Sequence, residues 1–169
     1  MTKCFLLLSL LSLFACEGCE EEEIWTTLPP ETQTGAQTFG CMIDDKLFVG
    51  NNRAGLLSRP AFVAGYERDT DRLYIAVEGL IDYIDAGRIY ITINHPTQTG
   101  IQEIEQLGYY PSTNISSYLA YNAIANEEVF LTRFDTINKI VSGRFQFTGR
   151  CVDSIKHITQ GRFDLKINF

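Results

Sequence analysis

The chain has 169 residues, of which 45% are hydrophobic and 12% aromatic, enough for one well-buried core and short for two. Its 14 basic and 21 acidic residues leave a formal charge of −7, so it lacks the positive footprint that binding to a phosphate backbone requires. Nucleic acid is not expected as a partner, and no later apolar run reaches the roughly 18 residues of a membrane-spanning helix.

Met1, Thr2 and Lys3 supply one positive charge, and "CFLLLSLLSLFA" (residues 4–15) is an apolar segment of signal-peptide length, too short to span a bilayer. Its end, "LFAC" (residues 13–16), resembles the lipobox of bacterial lipoproteins. That resemblance implies removal of residues 1–15 and a mature chain that begins at lipid-modified Cys16. Each buried methylene contributes about 0.8 kcal/mol, so two or three acyl chains anchor such a protein firmly. The C-x-x-C spacing of Cys16 and Cys19 then loses its redox or metal reading, since neither a βαβ context nor a second ligand pair accompanies it. Glu17 and the run Glu20, Glu21, Glu22 and Glu23 follow at once. They read either as a self-repelling spacer or, by resemblance, as the surface-export signal of lipoproteins in Bacteroidota-type bacteria.

Pro29 and Pro30 stiffen the continuing segment "IWTTLPPETQTGAQ", which is otherwise rich in Thr and Gln. We divide the chain into a leader (1–15), a tether (16–33) and one domain (34–169).

The domain reads as strands and turns. "TFGCMIDDKLFVG" predicts two short strands turning at Asp44 and Asp45, and "PAFVAGYE" predicts another. "RLYIAVEG" (72–79) and "GRIYITINH" (87–95) alternate through Leu73, Ile75, Val77 and through Ile89, Ile91, Ile93, as a hairpin or neighbouring strands would. "TGIQEIEQLG" (99–108) has the one helical spacing, at Ile101, Ile104 and Leu107, and supports a turn or two. "EVFLTRFD" (128–135) and "KIVSGRFQFTGRC" (139–151) are joined by the turn "DTIN"; the second puts Val141, Phe145, Phe147 and Cys151 on one face. In "GRFDLKINF", Phe163, Leu165, Ile167 and Phe169 alternate with Arg162, Asp164, Lys166 and Asn168, one face apolar and the other wet. Seven to nine such strands, with no βαβ rhythm, imply an all-β antiparallel sandwich or small barrel-like domain.

Three segments, "LPPETQTGAQTFGCMIDDKLF" (28–48), "DTINKIVSGRFQFTG" (135–149) and "ITQGRFDLKI" (158–167), together resemble a family of uncharacterised lipoproteins from Bacteroidota-type bacteria. Its members open with a pattern like LPP-x-TQ-x-G-x-x-TFGC-x-[VI]-[ND]-G-K and close with I-[SV]-G-x-F-x-FT and IT-x-GRFD. The chain departs at Asp45, where the family often has Gly, and in the middle segment "QLGYYPSTNISSYLAYNAIAN". The resemblance implies an outer-membrane, lipid-anchored protein facing the cell surface or the periplasm. It transfers no catalytic residue.

Cys41 and Cys151 both fall on apolar faces, and an export compartment permits a disulfide between them. Closing so long a loop contributes up to roughly 4–5 kcal/mol; the alternative is two buried thiols packing as small hydrophobes. Cys19 is left over.

Catalytic constellations are thin. His95 ends a strand before Pro96, and His157 lies in the connection "VDSIKHITQ", so both read as exposed loop residues. Asp44, Asp45, Glu78, Asp82 and Asp85 sit at turns, where Asp favours local backbone hydrogen bonds. Phosphate loops and H-E-x-x-H are absent, and no metal or cofactor is expected. Tyr74 and Tyr90 take polar-side positions of neighbouring strands, and Tyr109, Tyr110, Tyr118 and Tyr121 crowd the middle segment. They either form a stacking surface or pack within the domain; Tyr74, Tyr90, Tyr109 and Tyr110 are the expected ligand surface.

Two functions stand at this stage. One is a lipid-anchored, non-enzymatic module whose ligand is a glycan, a peptide or an envelope protein. The other is a small surface hydrolase using carboxylates near Asp82, Asp85 or the Asp44 and Asp45 turn, which requires a pocket with converging acids.

Overall fold

Alternation of apolar and polar residues carries the described residues through ten antiparallel strands. They are β1 (Thr38–Ile43), β2 (Lys46–Gly50), β3 (Phe62–Glu67), β4 (Arg72–Ile81), β5 (Asp85–Asn94), β6 (Gly100–Ile101), β7 (Ile104–Tyr110), β8 (Tyr121–Asp135), β9 (Ile140–Cys151) and β10 (Ser154–Lys166). The structure, a computed structural model, describes residues 26–50, 61–82, 84–111 and 120–169. The leader, Cys16, Cys19, the acidic run and Tyr118 lie outside them.

Eight strands run in the ring β1-β2-β4-β5-β7-β8-β9-β10 and return to β1, closing an all-β barrel. β4 is long enough to hold two partners on one edge: β3 along Arg72 to Val77 and β2 along Gly79 to Ile81. β3 also reaches the end of the chain, where Tyr66 N–H donates to Asn168 O at 3.0 Å and Asn168 N–H donates to Ala64 O at 2.9 Å. The interior is filled by side chains from every wall, among them Phe39, Phe48, Ile75, Ile91, Leu131, Phe147 and Leu165, each no more than 1% exposed. Phe39 lies 5.1 Å from Phe145 and 6.2 Å, edge-on, from Phe48 between ring centroids. A small barrel filled in this way is a packed core and not a ligand channel.

The β1–β2 and β4–β5 hairpins form as the pattern predicts, with Val77 opposite Ile89 and Cys41 opposite Phe48. Several expectations change. The helical spacing over 99–108 is spent on β6 and β7: Leu107 is buried while Ile101 is 71% exposed, because pairing to β5 and β8 overrides a weak three-residue periodicity. β8 starts at Tyr121, seven residues before the expected strand, and His157 lies within β10 and not in a connection. Phe169, expected on the apolar face, is half exposed.

Cys41 and Cys151 are both free thiols, which corrects the expected disulfide. Gly40 is level with Arg162, and Arg162 with Arg144. Cys151 is thus some six or seven residues, roughly 20 Å, farther along β9, whereas a bridge needs Cα atoms within about 7 Å.

The proline-containing segment is not a free tether up to the boundary expected at residue 34. From Pro29, which is buried, it lies along β10 and bends back at Gly35 into β1. Arg162 Nη1 donates to Pro29 O at 3.3 Å, and Lys166 N–H donates to Gln37 Oε1 at 2.8 Å. Asp164 points outward as its alternation requires, but this strap covers it and leaves it 1% exposed.

Candidate functional site

Strands β4, β5 and β7 present Tyr74, Arg88, Tyr90, Gln106 and Tyr110 along a groove of about 630 Å³, with Asn122 and Glu127 of β8 on its far side. The register explains the tyrosines. Tyr74 stands opposite Gly65 and Tyr90 opposite Gly108, and each ring lies over its glycine so closely that a Cβ there would come within 2.2 Å and 2.3 Å of the phenol. An aromatic ring laid across a cross-strand glycine shields backbone that would otherwise face water, and both tyrosines stay partly exposed. Tyr90 and Tyr110 form a tilted pair with centroids 5.2 Å apart, and Tyr90 Oη donates to Asn122 Oδ1 at 2.6 Å. Burial, with Tyr110 beside it, pushes the Tyr90 phenol up to about 12, so it remains a neutral donor.

Two charges along the groove, on Arg88 and Glu105, have partners. Arg88 pairs with Glu78, which is 5% exposed. Arg72 Nε sits 2.7 Å from Glu105 Oε2 as an ion pair whose N–H is not aligned for a hydrogen bond.

Three of the four expected surface tyrosines thus share one groove. Tyr109 does not: it turns inward at 2% exposure, stacks on Tyr121 with centroids 5.9 Å apart, and has its phenol pushed well up, by burial first and then by neighbouring Cys41. Adjacent residues on a strand face opposite sides, so Tyr109 and Tyr110 could not both line one surface.

Of the carboxylates expected at turns, Glu78 lies instead within β4 opposite Arg88, while Asp44 and Asp82 are engaged locally. Asp44 accepts His157 N–H at 2.8 Å and Lys156 Nζ at 2.6 Å; burial works to raise its pKa, but these bonds outweigh it and hold it low. Asp82 accepts Leu47 N–H at 3.2 Å, and Asp45 and Asp85 are exposed. His95 Nδ1 is 2.9 Å from Asp71 Oδ2, and Asp71 also accepts Tyr66 Oη at 2.7 Å, which fastens the end of β5 to the β3–β4 turn. No group of three His, Cys, Asp or Glu side chains suited to a metal ion occurs among the described residues.

Among the described residues, the polar group with the most hydrogen bonds is one that alternation placed in water. Asp164 accepts Thr32 Oγ1 (2.6 Å), Thr34 N–H (2.9 Å), Thr34 Oγ1 (3.3 Å), Gly35 N–H (2.8 Å), Ala36 N–H (3.1 Å) and Ser142 Oγ (2.7 Å). Burial alone would raise its pKa; the donors win and hold it at about 2. All its partners but Ser142 of β9 are backbone and hydroxyl groups of the strap, so its role is to hold the strap on the barrel.

Comparison with family models, with curated proteins and with solved structures finds no match to this chain.

Proposed function

We propose that this chain is a lipid-anchored envelope protein of the lipoprotein family it resembles, and that it works as a non-enzymatic binding module whose ligand meets the outer wall of the barrel. One observation carries the binding part: a groove lined by three tyrosines lies on the outside of a barrel whose interior is filled. Concave surfaces with aromatic walls and a few placed polar groups are the usual form of a binding site. The hydrolase alternative loses support because Asp44 and Asp82 are taken up by a lysine and by backbone N–H groups, and none of Asp44, Asp45, Asp82 and Asp85 lines the groove. The anchoring part rests on the "LFAC" pattern and the acids behind it.

Protease treatment of intact cells tests the reading, with Cys16→Ala and a variant neutralised at Glu20, Glu21, Glu22 and Glu23 as companions. The expected result is membrane-bound wild-type protein, soluble Cys16→Ala protein, and digestion from outside that the neutralised variant escapes. Wild-type protein recovered in the soluble fraction would overturn the anchor.

A further inference from the structure

The barrel wall is incomplete in one place. β7 is laddered to β5 along its length, yet it meets β8 only at Gly108↔Asn122 and Tyr109↔Tyr121. The next junction lies beyond a gap, where Gln102 N–H donates to Val129 O at 2.9 Å and β6 pairs Gly100 with Leu131 and Ile101 with Phe130. Between the two junctions, residues 103–107 face residues 123–128 without a ladder. Over that stretch β8 also shifts register twice against β9, between Ala123 and Ala125 and between Ala125 and Glu128, and Asn126 takes φ 52°. Two register shifts in six residues swing this part of β8 away from its neighbours. Leu107 and Val129 keep the core closed beneath. What opens is a slot in the wall, and it forms one side of the tyrosine groove.

Three properties select an occupant. First, backbone groups without ladder partners offer donors and acceptors side by side, alongside Asn122, Gln106 and Glu127. Second, Tyr90 and Tyr110 supply flat apolar surface at the end where the slot closes. Third, Arg88 and Arg72 already face Glu78 and Glu105 and Glu127 lines the groove, so among the described residues the lining favours a neutral ligand over an anion. A further strand would need a regular edge to ladder on, and β8 shifts register twice along the slot.

We propose that this slot binds a neutral oligosaccharide, one pyranose ring laying its C–H face on Tyr90 and Tyr110 while its hydroxyls, each both donor and acceptor, meet the unladdered backbone and Asn122. The inference names the ligand class for the binding module proposed above and rests on that reading.

The test uses full-length, detergent-solubilised protein on an array of neutral oligosaccharides and of uronate-containing ones, with titration calorimetry on whatever binds. Saturable binding to neutral sugars is expected, weakened about tenfold by Tyr110→Ala and also weakened by Asn122→Ala, at unchanged melting temperature. Because Tyr90 also shields Gly108, Tyr90→Phe is the variant there: it keeps the stacking face and should lose only a few-fold. No neutral sugar bound, preference for the uronate set, or affinity indifferent to Tyr110→Ala and Asn122→Ala would each overturn the proposal. A blank array beside protein that is digested from intact cells defeats the saccharide and leaves the anchored module standing; sugar binding by a protein found soluble does the reverse.

Discussion

Asp164 shows how much one side chain can hold. Its carboxylate takes three backbone N–H groups of the strap and hydroxyls from Thr32, Thr34 and Ser142, and truncating it removes the partner of all of them, two of which, Gly35 N–H and Ser142 Oγ, make buried bonds. Buried unmet donors cost about 1–3 kcal/mol each where water cannot reach them, so Asp164→Ala should lower stability by about 3 kcal/mol, roughly 10 °C in Tm, read by calorimetry. The pH dependence has a definite sign. With the folded group held at about 2 and the unfolded one near 4, the unfolded chain binds the extra proton, so stability falls as pH drops from about 4 through 2. Asp164→Asn should flatten that part of the profile. The cysteines give a second residue-scale test: a maleimide should label Cys151 in the native protein and Cys41 only after unfolding, since Cys41 is buried with its thiol pKa pushed well up. A bond between them would leave neither to label.

At the scale of elements, the hairpin turns carry strain that can be relieved. Asp44 and Asp45 have φ 47° and 67°, the left-handed pair of a type I′ turn, which asks for Gly at its second position. Asp45→Gly should stabilise by up to about 1 kcal/mol. Val152, a β-branched residue at φ 53° in the two-residue β9–β10 turn, is the costlier case, and Val152→Asn should raise Tm by a few degrees. Most strands, the β4–β5 hairpin and the Asp44 and Asp45 turn were legible in the sequence because alternation and turn chemistry are local, whereas the tight turn at Val152 was read as part of a longer connection. The fate of Asp164 was not, because alternation states which way a side chain points and not what lies over it. A trace was nonetheless present: "TQTGA" and "GRFD", the two ends of the resemblance, prove to be one unit, donors from the first converging on the acid of the second. Tyr109 shows the same limit from the other side, since its inward direction follows from Tyr110 only once both are known to lie on a strand.

For the whole molecule, the ring is as strong as its weakest junction. β4 and β5 pair from Arg72↔Asn94 through Ile81↔Asp85 and β9 and β10 from Cys151↔Ser154 to Ile140↔Lys166, whereas β7 and β8 share two pairs. No feature of the sequence announces this, because a missing ladder is a relation between residues 103–107 and 123–128 and not a property of either stretch. Opening free energy tracks the hydrogen bonds and apolar contacts that a local opening must break. The barrel should therefore breathe first at the slot, by parting β7 from β8 while the β4–β5 and β9–β10 hairpins stay intact. Native-state hydrogen exchange reads this directly. Amides of 104–107 that point toward β8 should exchange orders of magnitude faster than those of Ile89, Ile91 and Ile93 on β5, which lie in a doubly laddered, fully buried wall. A saturating ligand bound in the slot should slow the first set and leave the second unchanged; uniform protection across β5 and β7 would mean that the wall is as tight here as elsewhere and that no opening lies in it.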